Sequence, residues 1–155
     1  MTATHIQGPL QSGTQPITTQ VGGTVVAGTG NVGTALLQQT ITLTRDATLT
    51  QTGSVYLPKN AQIVSFVIHE DVAYDSATSA TLTAGTSAAG TQFITSVNAK
   101  TGGAVVPTHT AAQTLLMKDI GTTTGSPSVQ VFAQIVSVGQ PTVGTVRVNI
   151  LYMQR

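Results

Sequence analysis

The 155-residue chain carries charged side chains at only 7% of positions, six Lys or Arg against five Asp or Glu, for a net charge of +1. Its cations stand singly at Arg45, Lys59, Lys100, Lys118, Arg147 and Arg155, which excludes the clustered electrostatic footprint of a nucleic-acid binder. Cysteine is absent, so disulfide frameworks, thiolate metal sites and cysteine nucleophiles are excluded as well.

A chain of this length folds most economically as one domain and can bury roughly 70% of its unfolded surface without metals or disulfides. Thr, Gly, Ala, Gln and Ser take the place of charge, and aromatic residues make up only 4% with no Trp. The branched Cβ of Thr favours extended backbone, while Gly and Ser supply turns, so β structure is expected. So neutral a surface has little repulsion to hold copies apart, which predicts a component of an assembly rather than a free monomer. The start "MTATHIQGPLQSGTQ" lacks a basic and then apolar leader pattern, and no apolar run approaches the ~18 residues of a membrane span. The expectation is a protein made in the cytosol, with no membrane partner.

Residues 1–34 contain Gly8, Pro9, Gly13, Pro16, Gly22, Gly23, Gly28, Gly30 and Gly33, broken by short apolar pairs such as Val25-Val26. Such a segment hardly makes a core by itself and reads as an extended arm that orders on a neighbour, with the body running from 35 to 155. Gly28, Gly30 and Gly33 also spell G-x-G-x-x-G, with Asp46 at about the distance of a ribose-binding acid. The context argues against a dinucleotide site, because "TALLQQ" is brief, "TITLT" alternates like a half-exposed strand, and no β-α alternation follows.

From Ala35 the pattern changes to alternation. In "LLQQTITLT", Leu37, Ile41 and Leu43 share one parity and Gln38, Thr40, Thr42 and Thr44 the other, with Gln39 interrupting the apolar face. "SVYLP" is the next strand, closed by "PKN", where Pro58 fixes φ and Asn60 tolerates unusual backbone angles. "AQIVSFVIHEDV" is the most apolar segment and short enough for a buried strand. "SATLTAG", "TQFITSVNA" and "GAVVP" follow, separated by "GTSAAG" and "KTGG", at the spacing of about 8–12 residues that suits an antiparallel sandwich or barrel. The one helix is expected in "TAAQTLLMKDIG", where Thr110 and Gln113 form a capping box, Lys118 sits in the last turn and Gly121 terminates. "SVQVFAQIVSV" and "GTVRVNILYMQ" finish the chain, with Val129, Val131, Ala133 and Ile135, and then Val146, Val148, Ile150 and Tyr152, on single faces. The predicted fold is therefore all-β: an antiparallel β-sandwich or jelly-roll body with an extended N-terminal arm and at most one short helix.

Candidate chemistry is sparse. His69, Glu70 and Asp71 are adjacent with Asp75 close behind, but neighbours on a strand point to opposite faces and do not converge on one metal. "DVAYDSATS" lacks the acidic ladder and glycine of a calcium loop, so the cluster reads as a solvated strand end. His5 and His109 read as surface residues. No G-x-S-x-G elbow occurs, and no spacing among Asp46, Glu70, Asp71, Asp75 and Asp119 recommends a carboxylate pair. No catalytic residue, cofactor or metal is predicted, and the protein is read as a non-enzyme. A sugar-binding β-sandwich is the main alternative, yet such modules use aromatic platforms, and several of Tyr56, Phe66, Tyr74, Phe93, Phe132 and Tyr152 lie within apolar strand patterns that suit a core.

The segments "GPLQSGT", "NVGTALLQQTITLT", "YLPKNAQIVSFVI", "SATLTAGTSAAGTQF" and "VRVNILYMQR" resemble, in style and order, the small Thr/Ala/Gly-rich virion proteins of tailed bacteriophages regarded as head decoration or cement proteins. The resemblance runs over most of the chain, and related folds also serve as tail or head-fibre parts. It implies a β-sandwich or jelly-roll body, commonly trimeric, lying on the outer capsid surface of the virion, with the major capsid protein of a phage head as partner. On that expectation the arm residues Ile6, Pro9, Leu10, Ile17, Val21, Val25 and Val26 extend across a capsid subunit and add backbone pairing to an exposed sheet edge.

Overall fold

The computed structural model describes residues 18–21, 24–27, 36–76, 78–118, 120 and 128–154. The chain divides into two compact units, Met1–Ala35 and Leu36–Arg155. In the first, β1 (Thr18–Val21) and β2 (Thr24–Ala27) pair antiparallel, with Thr18 opposite Ala27 and Val21 opposite Thr24. The sequence between them is Gly22-Gly23, a composition that two-residue hairpin loops favour. The described part of the expected arm pairs as a β-hairpin, its Thr- and Val-rich strands bonded to each other.

The second unit contains β3 (Leu36–Thr44), β4 (Thr50–Pro58), β5 (Ala61–Val72), β6 (Ser79–Gly85), β7 (Ile94–Asn98), β8 (Gly103–Val105), α1 (Ala111–Lys118), β9 (Ser128–Val138) and β10 (Thr145–Gln154). They form two four-stranded sheets in the orders β3-β10-β5-β8 and β4-β9-β6-β7. The pairings nest: β3 with β10, β4 with β9, β5 with β8 and β6 with β7, all antiparallel. A hairpin of four strand pairs wound into two facing sheets is a jelly roll.

Alternation sets the core. Val131, Ala133 and Ile135 on β9 and Val146, Val148 and Ile150 on β10 are fully buried, with Tyr152 close to it. Tyr74, Phe66 and Leu57 are among the largest side chains wholly removed from water, and the Phe66 and Phe93 rings stack at 5.8 Å. Ile41 and Leu43 follow the predicted parity on β3, whereas Leu37, nearer the strand's start, stays 37% exposed.

Strand β4 begins at Thr50, four residues before the expected "SVYLP", since Gly53 hides an otherwise alternating pattern. A Cβ at Gly53 would stand 2.5 Å from Ile41 Cγ2, so the glycine is where β3 side chains press on β4. Asn60 takes the left-handed φ of 61° expected of the turn before β5. The capping box of α1 is present: Gln113 N–H donates to Thr110 Oγ1 (3.2 Å) and Thr110 N–H to Gln113 Oε1 (2.8 Å). Gly121, the predicted terminator, lies outside the described residues.

A register shift on β5 falls opposite Leu151 and Tyr152, which pair with Ser65 and Ile63 and leave Val64 over. This bulge moves the inward positions of β5 from Ala61 and Ile63 to Phe66, Ile68 and Glu70. The solvated strand end expected at 69–71 is corrected accordingly: Glu70 is only 4% exposed, while Asp71 stays on the solvent side.

A Cβ at Gly144 would lie 2.5 Å from the Tyr74 ring. Gly144→Ala is expected to cost about 1–3 kcal/mol through overpacking, read as a lowered midpoint in thermal denaturation; an unchanged midpoint would show that Tyr74 yields freely.

Candidate interaction surface

The described carboxylates of the body, Asp46, Glu70, Asp71 and Asp75, are each engaged by its own loops and strands. Between β3 and β4, Asp46 Oδ1 accepts from Thr48 N–H (2.7 Å), Thr48 Oγ1 (2.6 Å) and Gln51 Nε2 (3.0 Å). Those bonds from Thr48 and Gln51 hold its pKa down at about 2. Asp46 is thus a turn residue, and β3 stands where a dinucleotide site would need a helix; Gly28, Gly30 and Gly33 lie outside the described residues. Asp75 ties the loop after β5 to the loop before β10, accepting from Thr142 N–H (2.6 Å), Thr142 Oγ1 and Val143 N–H (3.1 Å). The Thr142 hydroxyl, with the Val143 and Thr142 amides, likewise lowers its pKa to about 2.

On the outer face of the first sheet, Arg147 on β10 forks onto Asp71 on β5 through Nε and Nη2. The hydrogen bond from Arg147 holds the Asp71 carboxyl below its ordinary value. Buried Glu70 accepts from Gly102 N–H (2.6 Å) and Thr101 Oγ1 (3.4 Å) through Oε2, so it pins the turn before β8. Gly102 and Gly103 have φ values of 72° and 95°, which only glycine adopts freely.

His109 corrects another expectation. It is half-buried rather than a surface residue, with Nδ1 3.0 Å from the Phe93 carbonyl oxygen and its ring 5.9 Å from that of Phe66. The carbonyl is an acceptor only, so Nδ1 carries the proton. His5 lies outside the described residues. Among the described residues no three His, Cys, Asp or Glu side chains gather as a metal-binding group.

The candidate arm residues divide in the same way. Ile6, Pro9, Leu10 and Ile17 lie outside the described residues. Val21 pairs with Thr24, Val25 with Gln20 and Val26 with Thr19, which places the three valines on the hairpin.

A groove of about 520 Å³ runs between β7, the segment 101–108 and the start of α1. Thr95, Asn98, Thr101, Thr108 and Gln113 line it beside Val106, and no charged or aromatic side chain does. Gln113 Nε2 donates to Thr95 Oγ1 across one end (3.0 Å). Of the six aromatic residues, Tyr56 alone is largely exposed, at 62%; Phe132 is half-buried and the rest are buried. Neither groove nor bulge was visible in the sequence, because both arise from pairing between distant strands.

No family model and no curated protein matches the sequence. Among solved structures, a chain of the "Cyanophage Pam1 capsid asymmetric unit" is similar, with a TM-score of 0.54 and 18% identity over 91% of this chain and 100% of that one. At that identity the likeness is one of fold.

Asp46 and Asp75 both titrate below the ordinary 3.8 in the folded protein. The stability they contribute is present above pH ~4 and is lost as pH falls toward 2. Thermal midpoints measured from pH 6 to 2 are expected to drop across that window, and to drop less in an Asp46→Asn, Asp75→Asn double variant; equal slopes would remove these two groups as the cause.

Proposed function

We propose that this chain is a non-enzymatic virion structural protein, a capsid decoration or cement protein that binds the outside of a phage head as a homotrimer and stabilises it by bridging subunits of the major capsid protein. The observation that carries this reading is the fold shared along 91% of the chain with a chain of a cyanophage capsid asymmetric unit. The chemistry of the chain supports it. Asp46, Asp75 and Asp71 are engaged by loops or by Arg147, and the buried Glu70 holds the exposed turn before β8 through Oε2, which supports structural roles for the described carboxylates.

The contact to the shell is assigned to Ile6, Pro9, Leu10 and Ile17 together with Val21, Val25 and Val26 of the hairpin. Backbone pairing to an exposed edge of a capsid subunit would supply affinity, and side chains on alternate positions would fill shallow apolar pockets. Three such contacts in one trimer act at high effective concentration, so each can be weak alone. Binding to the assembled lattice and not to dissociated subunits stabilises the shell by mass action. Synthesis in the host cytoplasm follows from the same reading.

The glycan-binding alternative would rest on the groove, whose hydroxyl and amide groups alternate with Ile94, Val97, Val105, Val106 and Pro107. That groove has no aromatic platform, which sugar-binding sandwiches rely on, so the virion reading is favoured.

Capsids of the phage that encodes the chain, purified without it, are expected to co-sediment with the full-length protein saturably and to withstand higher temperature once decorated. Val25→Asp with Val26→Asp is expected to weaken binding at least ~10-fold with unchanged far-UV circular dichroism. Absence of wild-type binding to heads, or binding to tails alone, would overturn the decoration role; saturable binding to a neutral glycan would move the sandwich to the alternative class.

A further inference from the structure

Residues 101–108 bridge two anchored points of the body. On the near side Ala99 is buried, its N–H donating to the Ala80 carbonyl (2.9 Å) and its own carbonyl accepting from Tyr74 N–H (2.9 Å), and Lys100 Nζ donates to the Ser76 carbonyl (2.6 Å). On the far side His109 is held at the Phe93 carbonyl. Between these points every residue is exposed except Val105 and Pro107, which are half-buried, so the segment covers little apolar area. A Cβ at Gly103 would meet nothing within 4 Å, and one at Gly102 only the Ala73 Cβ at 4.0 Å.

The ties from the middle of this bridge to the body are few. Strand β8, at the edge of its sheet, pairs with β5 at three positions: Gly103 with Glu70, Ala104 with His69 and Val105 with Ile68. Glu70 Oε2 accepts from Gly102 N–H and Thr101 Oγ1. Its other oxygen, Oε1, is buried and has no hydrogen-bond partner among the described residues. Two opposed effects therefore meet at one carboxylate. The hydrogen bond from Gly102 to a charged acceptor holds the segment closed, while keeping Oε1 from water without a partner costs free energy that hydration would return.

We propose that residues 101–105 are a strap that opens and closes as one unit while the rest of the sandwich stays folded, with Glu70 as its latch. Local opening draws on segments with few buried apolar contacts and little pairing, and this segment has both properties. Opening breaks three pairings and hydrates both oxygens of Glu70, whereas freeing β10 would break a ladder on each of its sides. Thr101, Val105, Val106, Pro107 and Thr108 line the groove beside α1, so opening removes one of its walls. An occupant touching those residues would favour the closed strap and shift the population toward it. The strap does not depend on the virion reading, and its test leaves that reading untouched.

The test is amide hydrogen exchange in the full-length chain, followed by NMR at neutral pH. Gly102 and the β8 amides that bond to β5 are expected to share one protection factor, at least ~100-fold below those of Val148 and Ile150 on β10. Glu70→Gln replaces the charged acceptor by a neutral one and is expected to lower the shared factor by a further ~10-fold with β10 unchanged. Gly103→Ala meets no neighbour but strains the closed φ of 95°. It is expected to lower the shared factor ~5-fold or more, and it keeps the test in force should Glu70→Gln fold poorly. Three results overturn the strap: β8 amides protected as fully as those of β10, a loss of protection that a variant spreads equally over β8 and β10, or an effect of Glu70→Gln confined to Gly102. A folded variant of either kind that keeps the wild-type protection at β8 overturns it as well.

Discussion

The ladder between the first and last strands of the body governs the rest of the structure. β10 lies between β3 and β5, bonded to both along nearly its whole length, and it supplies three side chains wholly removed from water. The other three pairs nest inside it along the chain. Such a closure pairs residues more than a hundred positions apart, so its loop entropy has to be met before its contacts reward it. The closing strands are long, β10 alternating along its length and β3 over its second half, where Ile41 and Leu43 are buried.

Around this core the chain uses charge sparingly and locally. Asp46 and Asp75 receive three hydrogen bonds each and hold the loops beside β3 and β10. Glu70 likewise holds the turn before β8 from inside the sandwich. Acceptors with that role need no cation, which explains how so few charges can maintain a folded jelly roll. What remains for the outer surface is hydroxyl, amide and aliphatic chemistry, suited to neutral and extended contacts.

This economy bears on function. A protein that works by covering another surface needs shape, a firm scaffold and many modest contacts, and it needs no poised catalytic group. The wound sandwich supplies the scaffold, and the N-terminal hairpin adds a separate element rich in β-forming residues. The hairpin carries Val21, Val25 and Val26, to which the proposed shell contact is assigned.

The periodicity of the sequence determined the strands. β9 runs over the residues that alternation marked, β5 over the most apolar segment and β6 over a short stretch set off by its spacing; local chemistry likewise placed the Thr110–Gln113 cap and the turn at Asn60. These signals are short-range, since dihedral preference and side-chain alternation act within a few residues. Strand order and register depend on partners far along the chain, and only the tertiary structure decided them. The leftover residue at Val64 reverses the parity of β5 and carries Glu70 inward; Gly53 is required by Ile41 of a different sheet; His109 is held by Phe93. The tie from Glu70 to Gly102 emerged in the same way, because residues 32 positions apart meet only when pairing sets β5 and β8 side by side.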